Sequence, residues 1–448
     1  MLQKDLLIRC KREDFHVNKT KRFLAMALAL VMIFALLPMP TASAASGKTW
    51  VSAWSTSPID ASLNDLGILD ELAVPIGAVS NRMVIESTAS GSQVRFVLSN
   101  EYSLVPMKIQ ACSVGRVIKS SITDCAMNTL TARTVRVNGR STFTIPAGKT
   151  VTTDPVTMKV TAGEKLCVNI YYNNVTAIRT IGLIGADSYI GIGNTTHSNK
   201  VIPIPLKYEA DSGSYEITTT LKEMDVKASK GTETCVVFGD STVASEIPRL
   251  LAAKLRANGI NNVSVTQEAI KGNRLVADGV GNAAKLLGRA GVDRFAEDVL
   301  GQAGVTKVIV KLGVNDVVHP HCASKAGKAP YASLENMIAG YQKLIDMAHA
   351  QGVEIYFCEV TPWKGYTRNV FGKGDDVQWT AEIDQLRVDI NAWLSSNACP
   401  SDGYISLSGM SDPADPTQLI PSQTPDGIHH NADGQANFVS LIDVNLFK

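Results

Sequence analysis

The sequence predicts a protein of two parts, an antiparallel β half followed by an α/β half with a mostly parallel sheet. In residues 46–230, short apolar runs with an alternating pattern are separated by turn residues. From residue 231 onward, strand-like apolar runs alternate with segments of helical periodicity. The chain has 448 residues, of which 45% are hydrophobic and 19% charged, a globular composition with length for more than one domain.

Residues 1–45 have the plan of a secretory signal peptide. Basic residues including Lys19, Lys21 and Arg22 precede the apolar run FLAMALALVMIFALLPMP, and Ala42-Ser43-Ala44 then fits the small-residue cleavage rule. A retained transmembrane anchor is the alternative, because the run is close to the shortest length that spans a bilayer. We expect cleavage and secretion, with no membrane attachment afterwards.

The charge balance of the chain excludes some classes of partner. The formal net charge is +1, and residues 1–44 contain seven Lys/Arg and three Asp/Glu, so the remaining chain carries −3. So small a charge indicates neither a nucleic acid nor an anionic membrane surface as partner. The sequence leaves the oligomeric state open.

Seven of the eight cysteines lie beyond the predicted signal peptide. Cys235 and Cys358 fall in apolar strand-like runs and are expected to be buried as small hydrophobic residues. In an exported protein, Cys112 with Cys125, or Cys322 with Cys399, could form disulfide bridges, and the sequence alone does not assign the pairing.

The β half, residues 46–230, is predicted to be a sandwich or jelly roll. In SQVRFVLSN, Val94, Phe96 and Leu98 alternate with residues of the opposite face, and KLCVNIYYN has the same pattern. Many short strands without intervening helices are typical of such folds. From Glu209 to Gly231 the chain is polar, and we expect a last strand in YEITTTL followed by a linker.

Residues 231–448 are predicted to form a doubly wound α/β domain. Strands are indicated at CVVF, VSVTQ, KVIVKL and EIYFCEV. Apolar residues from Leu334 to Ile345 have helical spacing that ends at Gly352, and a second helix is expected after a cap at Thr380. Ligands of such sheets bind at the carboxyl ends of the strands.

Four loops at these strand ends and near the C-terminus contain unusual residues. They are FGDST, IKGNRL, LGVNDV and TPDGIHHNADG. In a parallel sheet, the loops that follow the strands lie on one rim. Ser241 in the first loop is either a helix cap, which serine often is, or a nucleophile.

Acyl-transfer chemistry needs the residue types found in these loops. A serine requires an adjacent base, usually a histidine held by a carboxylate, and Asp426 and His429 are three residues apart. The tetrahedral intermediate requires donors aimed at its oxyanion. The backbone N–H of Ser241, at an expected helix start, the backbone N–H of Gly272 and the side-chain amide of Asn315 are the candidates.

The motifs GDS, Gly272, GVND and DGIH, in this order, resemble those of the SGNH, or GDSL-type, esterase and lipase superfamily. The resemblance runs from about Cys235 to the C-terminus, and Thr242 replaces the leucine of the GDSL motif. It implies a flavodoxin-like domain and ester hydrolysis without metal or cofactor, with Ser241, Gly272, Asn315 and His429 as the four family residues and Asp426 as partner of the histidine. Segments such as WVSAW and RFAEDVLGQAGVTKVIVKLGVND are similar to secreted bacterial members with an N-terminal β region, including acylhydrolases associated with xylan degradation.

Three different kinds of site do not fit these motifs. An α/β-hydrolase elbow needs glycine two residues after the serine, where this chain has Val243, and no phosphate-binding glycine loop is present. The spacing in HPHC, His319 to Cys322, matches no usual zinc pattern, so we expect no metal site. His319 is instead a candidate substrate contact, although a solvated loop histidine is the plainer interpretation.

Polar and aromatic residues beside the motifs have supporting or open roles. Asp240 and Asp316 are expected to hold the loops, Arg274 to clamp a neighbouring loop, and His430 to line the rim or face solvent. The loop TPWKGYTRNVF contains Trp363, Tyr366 and Phe371. Trp363 and Tyr366 are candidate substrate contacts, and packing into the core is the alternative.

The sequence therefore predicts a secreted serine ester hydrolase with a signal peptide at 1–45, a β domain at 46–230 and a catalytic domain at 231–448. We expect it to remove short acyl groups, chiefly acetyl, from polysaccharide or oligosaccharide. A lipase, phospholipase or arylesterase of the same fold is the alternative within the enzyme class. A carbohydrate-binding or surface-interaction protein without activity is the alternative from another class.

Overall fold

A computed structural model describes residues 48–61, 78–121, 124–173, 178–201, 204–210, 213–244, 246–280, 284–322, 329–366 and 377–448. The predicted signal peptide and Phe371 lie outside the described residues. Lys48–Lys448 form one compact unit. Within the described ranges, no helix combines the length and apolar character needed to cross a bilayer.

The first half is β-rich, as predicted, and its strands pair antiparallel. The strands are β1 Lys48–Ser55, β2 Ile59–Asp60, β3 Val79–Glu86, β4 Gly91–Ser99, β5 Met107–Ile109, β6 Ala111–Ser121, β7 Asp124–Thr134, β8 Phe143–Ile145, β9 Thr150–Thr152, β10 Val156–Val160, β11 Lys165–Tyr172, β12 Thr180–Gly182, β13 Asp187–Ile192, β14 Lys200–Val201, β15 Ile204–Pro205, β16 Lys207–Ala210, β17 Gly213–Glu216, β18 Thr218–Thr219 and β19 Leu221–Ser229.

Two larger sheets organise this half. One has the order β1-β19-β4-β10, with β9 also paired to β4, and the other has the order β14-β7-β6-β11-β3-β13-β15. Smaller groups are β18-β12-β2, β16-β17 and β5-β8. The alternating residues Val94, Phe96 and Leu98 of β4 share one apolar core with Val168 and Ile170 of β11, so the core joins the two larger sheets. The sandwich or jelly-roll arrangement stays a prediction.

The expectation of a linker before residue 231 is wrong. Residues 221–229 form strand β19, which lies between β1 and β4. Its apolar positions Met224, Val226 and Ala228 alternate with charged residues, which hid the strand in a polar segment. Two of the buried charged residues are ion-paired, Asp225 with Arg95 at 2.7 Å and Lys222 with Asp298 at 3.4 Å.

The second half contains the predicted parallel sheet. Its strands are β20 Glu233–Gly239, β21 Val263–Ala269, β22 Val305–Lys311, β23 Glu354–Cys358 and β24 Gly403–Ile405, and β25 Ser411–Asp412 pairs with β26 Asp415–Leu419 as a hairpin. The order β21-β20-β22-β23-β24 is parallel throughout. The chain reverses direction across the sheet between β20 and β22, the position where doubly wound sheets bind ligands.

The helices surround this sheet. They are α1 Ile247–Ala257, α2 Gly291–Phe295, α3 Val314–Val318, α4 Leu334–Ala350, α5 Ala381–Leu394 and α6 Ala432–Ser440, with a π-helical turn at Ala296–Leu300 and 3₁₀ turns at His319–His321, Ser408–Met410, Pro421–Gln423 and Val444–Phe447. The two helices predicted from periodicity are confirmed as α4 and α5. Thr380 caps α5 by accepting a hydrogen bond from the Ile383 N–H at 3.2 Å.

Each face of the parallel sheet has its own apolar core. Val236 and Phe238 of β20 belong to one core, and Cys235 and Val237 belong to the other. Successive side chains of a strand point to opposite faces, so a continuous apolar strand such as CVVF fits a sheet that is covered on both sides.

No disulfide links the seven cysteines of the described residues, and all seven are buried. The expectation of a bridge between Cys112 and Cys125, or between Cys322 and Cys399, is therefore wrong. Cys112 and Cys125 belong to different apolar clusters. Burial of Cys235 and Cys358 is confirmed.

The two halves pack through polar contacts along β1 and β21. The Ser264 hydroxyl donates to the Ser52 carbonyl at 2.6 Å, and the Ser55 hydroxyl donates to the Gln267 carbonyl at 3.0 Å. Buried polar groups require partners, and these contacts provide them across the boundary.

Candidate active site

The loops singled out in the sequence leave one edge of the parallel sheet. Gly239 at the end of β20 pairs with Ala269 at the end of β21 and with Lys311 at the end of β22. The segments that begin at residues 240, 270 and 312 therefore start side by side. Gly239 is required there, because a Cβ at this position would collide with the Lys311 carbonyl oxygen.

Ser241 lies in a tight turn and not at the end of a helix. Asp240 Oδ1 accepts hydrogen bonds from the Thr242 N–H at 2.9 Å and from the Thr242 hydroxyl at 2.7 Å. The following helix α1 begins at Ile247, and its N-cap position is Glu246. Serine as a helix cap is thus excluded, and the expected helix start at Ser241 is wrong.

The structure brings Ser241, His429 and Asp426 into one chain of contacts. Ser241 Oγ lies 2.9 Å from His429 Nε2. His429 Nδ1 lies 2.7 Å from Asp426 Oδ2. The side chain of Asp426 is 5% exposed and that of His429 is 29% exposed, so the carboxylate is shielded while the imidazole reaches solvent.

The Asp426 carboxylate is held in place by its own turn. Its Oδ1 accepts the backbone N–H groups of Ile428 at 3.2 Å and of His429 at 2.9 Å. Gly427 has φ +90°, and a Cβ there would approach the backbone of Gly365 and Tyr366 to 2.8 Å. The turn therefore requires glycine both for its left-handed conformation and for close backbone approach.

These contacts lower the pKa of the Asp426 carboxyl group. Burial acts to raise the pKa of its carboxyl, but the hydrogen bond and charge of His429, together with two backbone N–H groups, lower this pKa to about 2. The carboxylate is therefore ionised in the folded protein near neutral pH, and it favours a proton on the Nδ1 atom of His429.

Gly272 and Asn315 lie in loops that are joined to each other. Gly272 has φ +72°, and a Cβ on it would collide with Leu287. The Asn315 side-chain amide donates to the Asn273 carbonyl at 2.9 Å. An amide nitrogen has two N–H donors, and this bond uses one of them. The loop after β21 and helix α3 after β22 are thereby fixed relative to each other.

Asp316 and Arg274 support these loops as expected. Asp316 accepts the backbone N–H groups of Leu275 at 2.7 Å and Val276 at 3.2 Å. Burial raises the pKa of its carboxyl to about 6, while the charge of Arg274 and the two N–H groups oppose the rise. Arg274 also donates to the Pro330 carbonyl at 2.6 Å, which clamps a neighbouring loop.

The candidate substrate contacts differ in where the structure places them. Trp363 is fully buried in the core, so its prediction as a substrate contact is wrong, because a ring without exposure offers no face to a ligand. Tyr366 is nearly buried, with its ring edge-on to His429 at a centroid distance of 6.3 Å. His319 is buried beside Gly272, and burial lowers the pKa of its imidazole to about 3.

His430 is partly exposed, but its ring nitrogens do not reach solvent, so the expectation of a solvent-facing imidazole is wrong. Both its ring nitrogens are buried, and its ring is 6.1 Å from that of Phe438. Burial, with the charges of Lys311 and His429, lowers the pKa of His430 to about 3. Of the two adjacent histidines, His429 is the one that contacts a carboxylate and the serine.

A cavity of about 540 Å³ adjoins helix α3. Polar, aromatic and aliphatic residues line this cavity. The lining consists of Asp316, Val317, His321, Tyr331, Ala332, Thr380, Glu382, Ile383 and Leu386. Tyr331 is exposed and meets His321 edge-on at 5.1 Å.

Two buried cations near the site were not predicted from the sequence. Lys311 donates to the Thr242 hydroxyl at 2.8 Å and to the Thr361 hydroxyl at 3.1 Å. Arg294 is buried beneath the β20 loop. The signal for Lys311 was a lysine between the apolar residues of VIVKL, and for Arg294 it was the Arg-Asp pair at helical spacing in RFAED.

A contact chain of serine, histidine and aspartate is one of the arrangements that acyl-transfer chemistry uses. Residues 234–436 match the family described as GDSL-like Lipase/Acylhydrolase. The protein is accordingly a carboxylic ester hydrolase. The matched range contains Ser241, Gly272, Asn315, Asp426 and His429.

Solved structures similar to the chain include three with related names. An acetyl xylan esterase has 20% identity, covers 46% of this chain and 96% of its own, and has a TM-score of 0.32. A GDSL-like lipase from Bacteroides thetaiotaomicron has 18% identity, coverage of 47% and 85%, and a TM-score of 0.32. A carbohydrate acetylesterase from Sinorhizobium meliloti has 15% identity, coverage of 46% and 95%, and a TM-score of 0.33. No curated protein matches the chain.

Proposed function

We propose that the protein is a serine esterase in which Ser241 is the nucleophile, His429 the general base and Asp426 the residue that orients the imidazole. The observation that carries this proposal is the unbroken contact chain from Ser241 Oγ through both ring nitrogens of His429 to Asp426. An isolated serine hydroxyl is a weak nucleophile at neutral pH, and this arrangement removes its proton as it attacks.

The reaction follows from the geometry in two stages. Ser241 Oγ attacks the ester carbonyl while His429 Nε2 takes the hydroxyl proton, and the imidazolium then gives that proton to the leaving alcohol. Water, activated by the same nitrogen, hydrolyses the acyl-enzyme and restores the serine. The ionised Asp426 stabilises the positive charge that the imidazole acquires in both stages.

The oxyanion of each tetrahedral intermediate is assigned three donors. They are the backbone N–H groups of Ser241 and Gly272 and the second N–H of the Asn315 amide. A donor held by the protein before the reaction begins needs no reorganisation when charge develops. The bond of Asn315 to Asn273 supports this assignment, because it fixes the amide beside the loop that carries Gly272.

For the substrate, we propose a short acyl group, chiefly acetyl, on a carbohydrate. The support for this proposal is the similarity of WVSAW and RFAEDVLGQAGVTKVIVKLGVND to secreted bacterial family members with an N-terminal β region, including acylhydrolases associated with xylan degradation. Export after removal of residues 1–45, with a β domain at 46–230 and a catalytic domain at 231–448, belongs to the same proposal.

The nucleophile is tested by Ser241→Ala. We expect hydrolysis of p-nitrophenyl acetate to fall by about 10⁴-fold or more, because the acyl-enzyme cannot form. Ser395→Ala, at the exposed C-terminal end of α5, is the matched control and should keep full activity. Unchanged hydrolysis by Ser241→Ala would refute the proposed mechanism.

The substrate is tested by acetate release from acetylated xylan and mannan, compared with nitrophenyl esters of increasing chain length. Release that depends on Ser241, with activity lost beyond short chains, is the expected result. Activity that rises with chain length and is absent on glycans would overturn the carbohydrate assignment in favour of a lipase or arylesterase.

A further inference from the structure

The guanidinium group of Arg294 lies buried beneath the loop that carries Ser241. The residue is 2% exposed, and its side chain has five hydrogen bonds. Its charge is balanced by Asp298 at 3.0 Å, and its guanidinium carbon lies 4.1 Å from the ring centroid of Phe238. The hydrogen bonds hold the edges of the planar guanidinium group and the Phe238 ring packs on its face, so the group is held in one position.

Two of these hydrogen bonds reach the proposed catalytic loops directly. Nη2 donates to the Gly239 carbonyl at 3.0 Å, two residues before Ser241. Nε donates to the Asn273 side-chain oxygen at 3.0 Å, one residue after Gly272. The Asn273 carbonyl in turn accepts the Asn315 amide. One side chain thus ties the nucleophile loop to both loops that supply oxyanion donors.

The antiparallel half completes the surroundings of Arg294. Ser57, which follows β1, accepts from Arg294 Nη1 at 3.0 Å and donates to Glu268 Oε2 at 2.6 Å. Lys222 at the start of β19 lies 3.4 Å from Asp298, the carboxylate that neutralises Arg294. Both residues come from the first half of the chain, and both are buried.

These contacts suggest what the antiparallel half does. A buried guanidinium needs partners for its N–H groups, and Ser57 provides one that the α/β half lacks at this point. The cluster also lies between the ends of β20 and β21, so a shift of Arg294 would move the Gly239 carbonyl and the Asn273 side chain together. Displacements of about 1 Å at such positions cost about 10²-fold in rate.

We propose that Arg294 is a positioning residue for acyl transfer and that Ser57 and Lys222 make the antiparallel half part of the catalytic unit. This inference rests on the proposed function of Ser241, since it concerns how that serine and its oxyanion donors are aligned. Arg294 touches no reacting atom. Its effect is on kcat, through the relative placement of loops, and not on the affinity for the substrate.

The test compares Arg294→Met, Arg294→Lys and Ser57→Ala in the full chain. On p-nitrophenyl acetate we expect kcat to fall about 10²-fold for Arg294→Met and about tenfold for Ser57→Ala, with KM within about threefold of wild type. Arg294→Lys should recover part of the loss, because it retains the charge but not the fork of donors. Rates refer to the folded fraction, measured by gel filtration and circular dichroism.

Arg82→Met is the matched control. Arg82 is also completely buried with five hydrogen bonds, but its partners, including Asn169 and the Ser198 carbonyl, lie in the first half away from the catalytic loops. We expect it to lower the melting temperature and leave the kcat of the folded protein unchanged.

The outcomes separate this inference from the proposed function. Wild-type kcat in folded Arg294→Met and Ser57→Ala, with only the melting temperature lowered, would overturn the positioning role. If Arg294→Met does not fold, Ser57→Ala decides alone. Activity that persists in Ser241→Ala would instead refute the proposed function, whatever the Arg294 variants do.

Discussion

Replacing Asp426 by asparagine tests the proposed triad most sharply, because the structure determines how the new side chain would sit. Asp426 Oδ1 accepts two backbone N–H groups, from Ile428 and His429. The asparagine carbonyl oxygen must take that position, since an NH₂ group cannot accept. The NH₂ group then faces His429 Nδ1 in place of Oδ2. Nδ1 is forced to accept, so the imidazole proton moves to Nε2, which can no longer take the proton of Ser241.

The expected loss is about 10⁴-fold in kcat, equivalent to about 5 kcal/mol of transition-state stabilisation at 1.36 kcal/mol per decade. KM should change little, because Asp426 is buried behind the imidazole. The effect on folding is smaller: a carboxyl pKa lowered from 3.8 to about 2 contributes at most about 2 kcal/mol to the free energy of unfolding. This contribution is present above pH 3.8 and is lost as the pH falls towards 2.

The assay is steady-state hydrolysis of p-nitrophenyl acetate from pH 6 to 9, together with urea unfolding of the same preparations. Asp415→Asn is the matched control. Asp415 lies in the β25–β26 hairpin, and a hydrogen bond from Lys364 together with contacts to Thr417 also lowers the pKa of its carboxyl to about 2. It should leave kcat unchanged. A kcat for Asp426→Asn within tenfold of wild type would refute the orienting role.

Two further predictions concern the glycine of the β21 loop and the buried cluster. Gly272→Ala should lower both kcat and stability, because Gly272 has φ +72° and a Cβ on it would collide with Leu287. Gly352→Ala is the control: it has φ +69° with nothing near the added Cβ, and it should cost only about 1–2 kcal/mol of unfolding free energy. Equal effects of the two variants on kcat would contradict this prediction. Burial, reinforced by the Asp298 charge and opposed by Lys222, raises the pKa of Glu268 to about 8. A carboxyl group whose pKa is raised by folding contributes its full stabilisation below the unfolded pKa, about 4.5 for Glu268. That stabilisation is lost as the pH rises through the folded pKa of about 8. Urea midpoints should therefore fall less from pH 5 to 9 in Glu268→Gln than in the wild type, and parallel curves would refute the assignment.

The assembled site explains why polar groups of the first half remain buried. A hydroxyl or a charge that is taken out of water needs a partner, and Ser57 and Lys222 find theirs in the α/β half. Removing the first half would expose Arg294, Glu268 and Asp298 without those partners. The antiparallel half is thus energetically coupled to the loops that carry the proposed chemistry.

The sequence determined the features that depend on local pattern. Period-two alternation predicted β4 and β11, continuous apolar runs predicted β20 to β23, and the Thr380 cap predicted the start of α5, because each signal lies within a few residues. Ser241, Gly272, Asn315, Asp426 and His429 were recognisable because their loops follow parallel strands or form a compact turn.

Tertiary structure alone decided the features that depend on distant partners. Strand β19 was hidden because its charged residues are buried with partners such as Arg95 and Asp298, which no local pattern reveals. Trp363 could have been a ligand platform or a core residue, and only packing distinguishes these. Arg294 connects strand ends with a serine 237 positions earlier in the chain. Such contacts exist only once the chain has folded, because the sequence does not show which residues far apart in the chain will meet when they are buried.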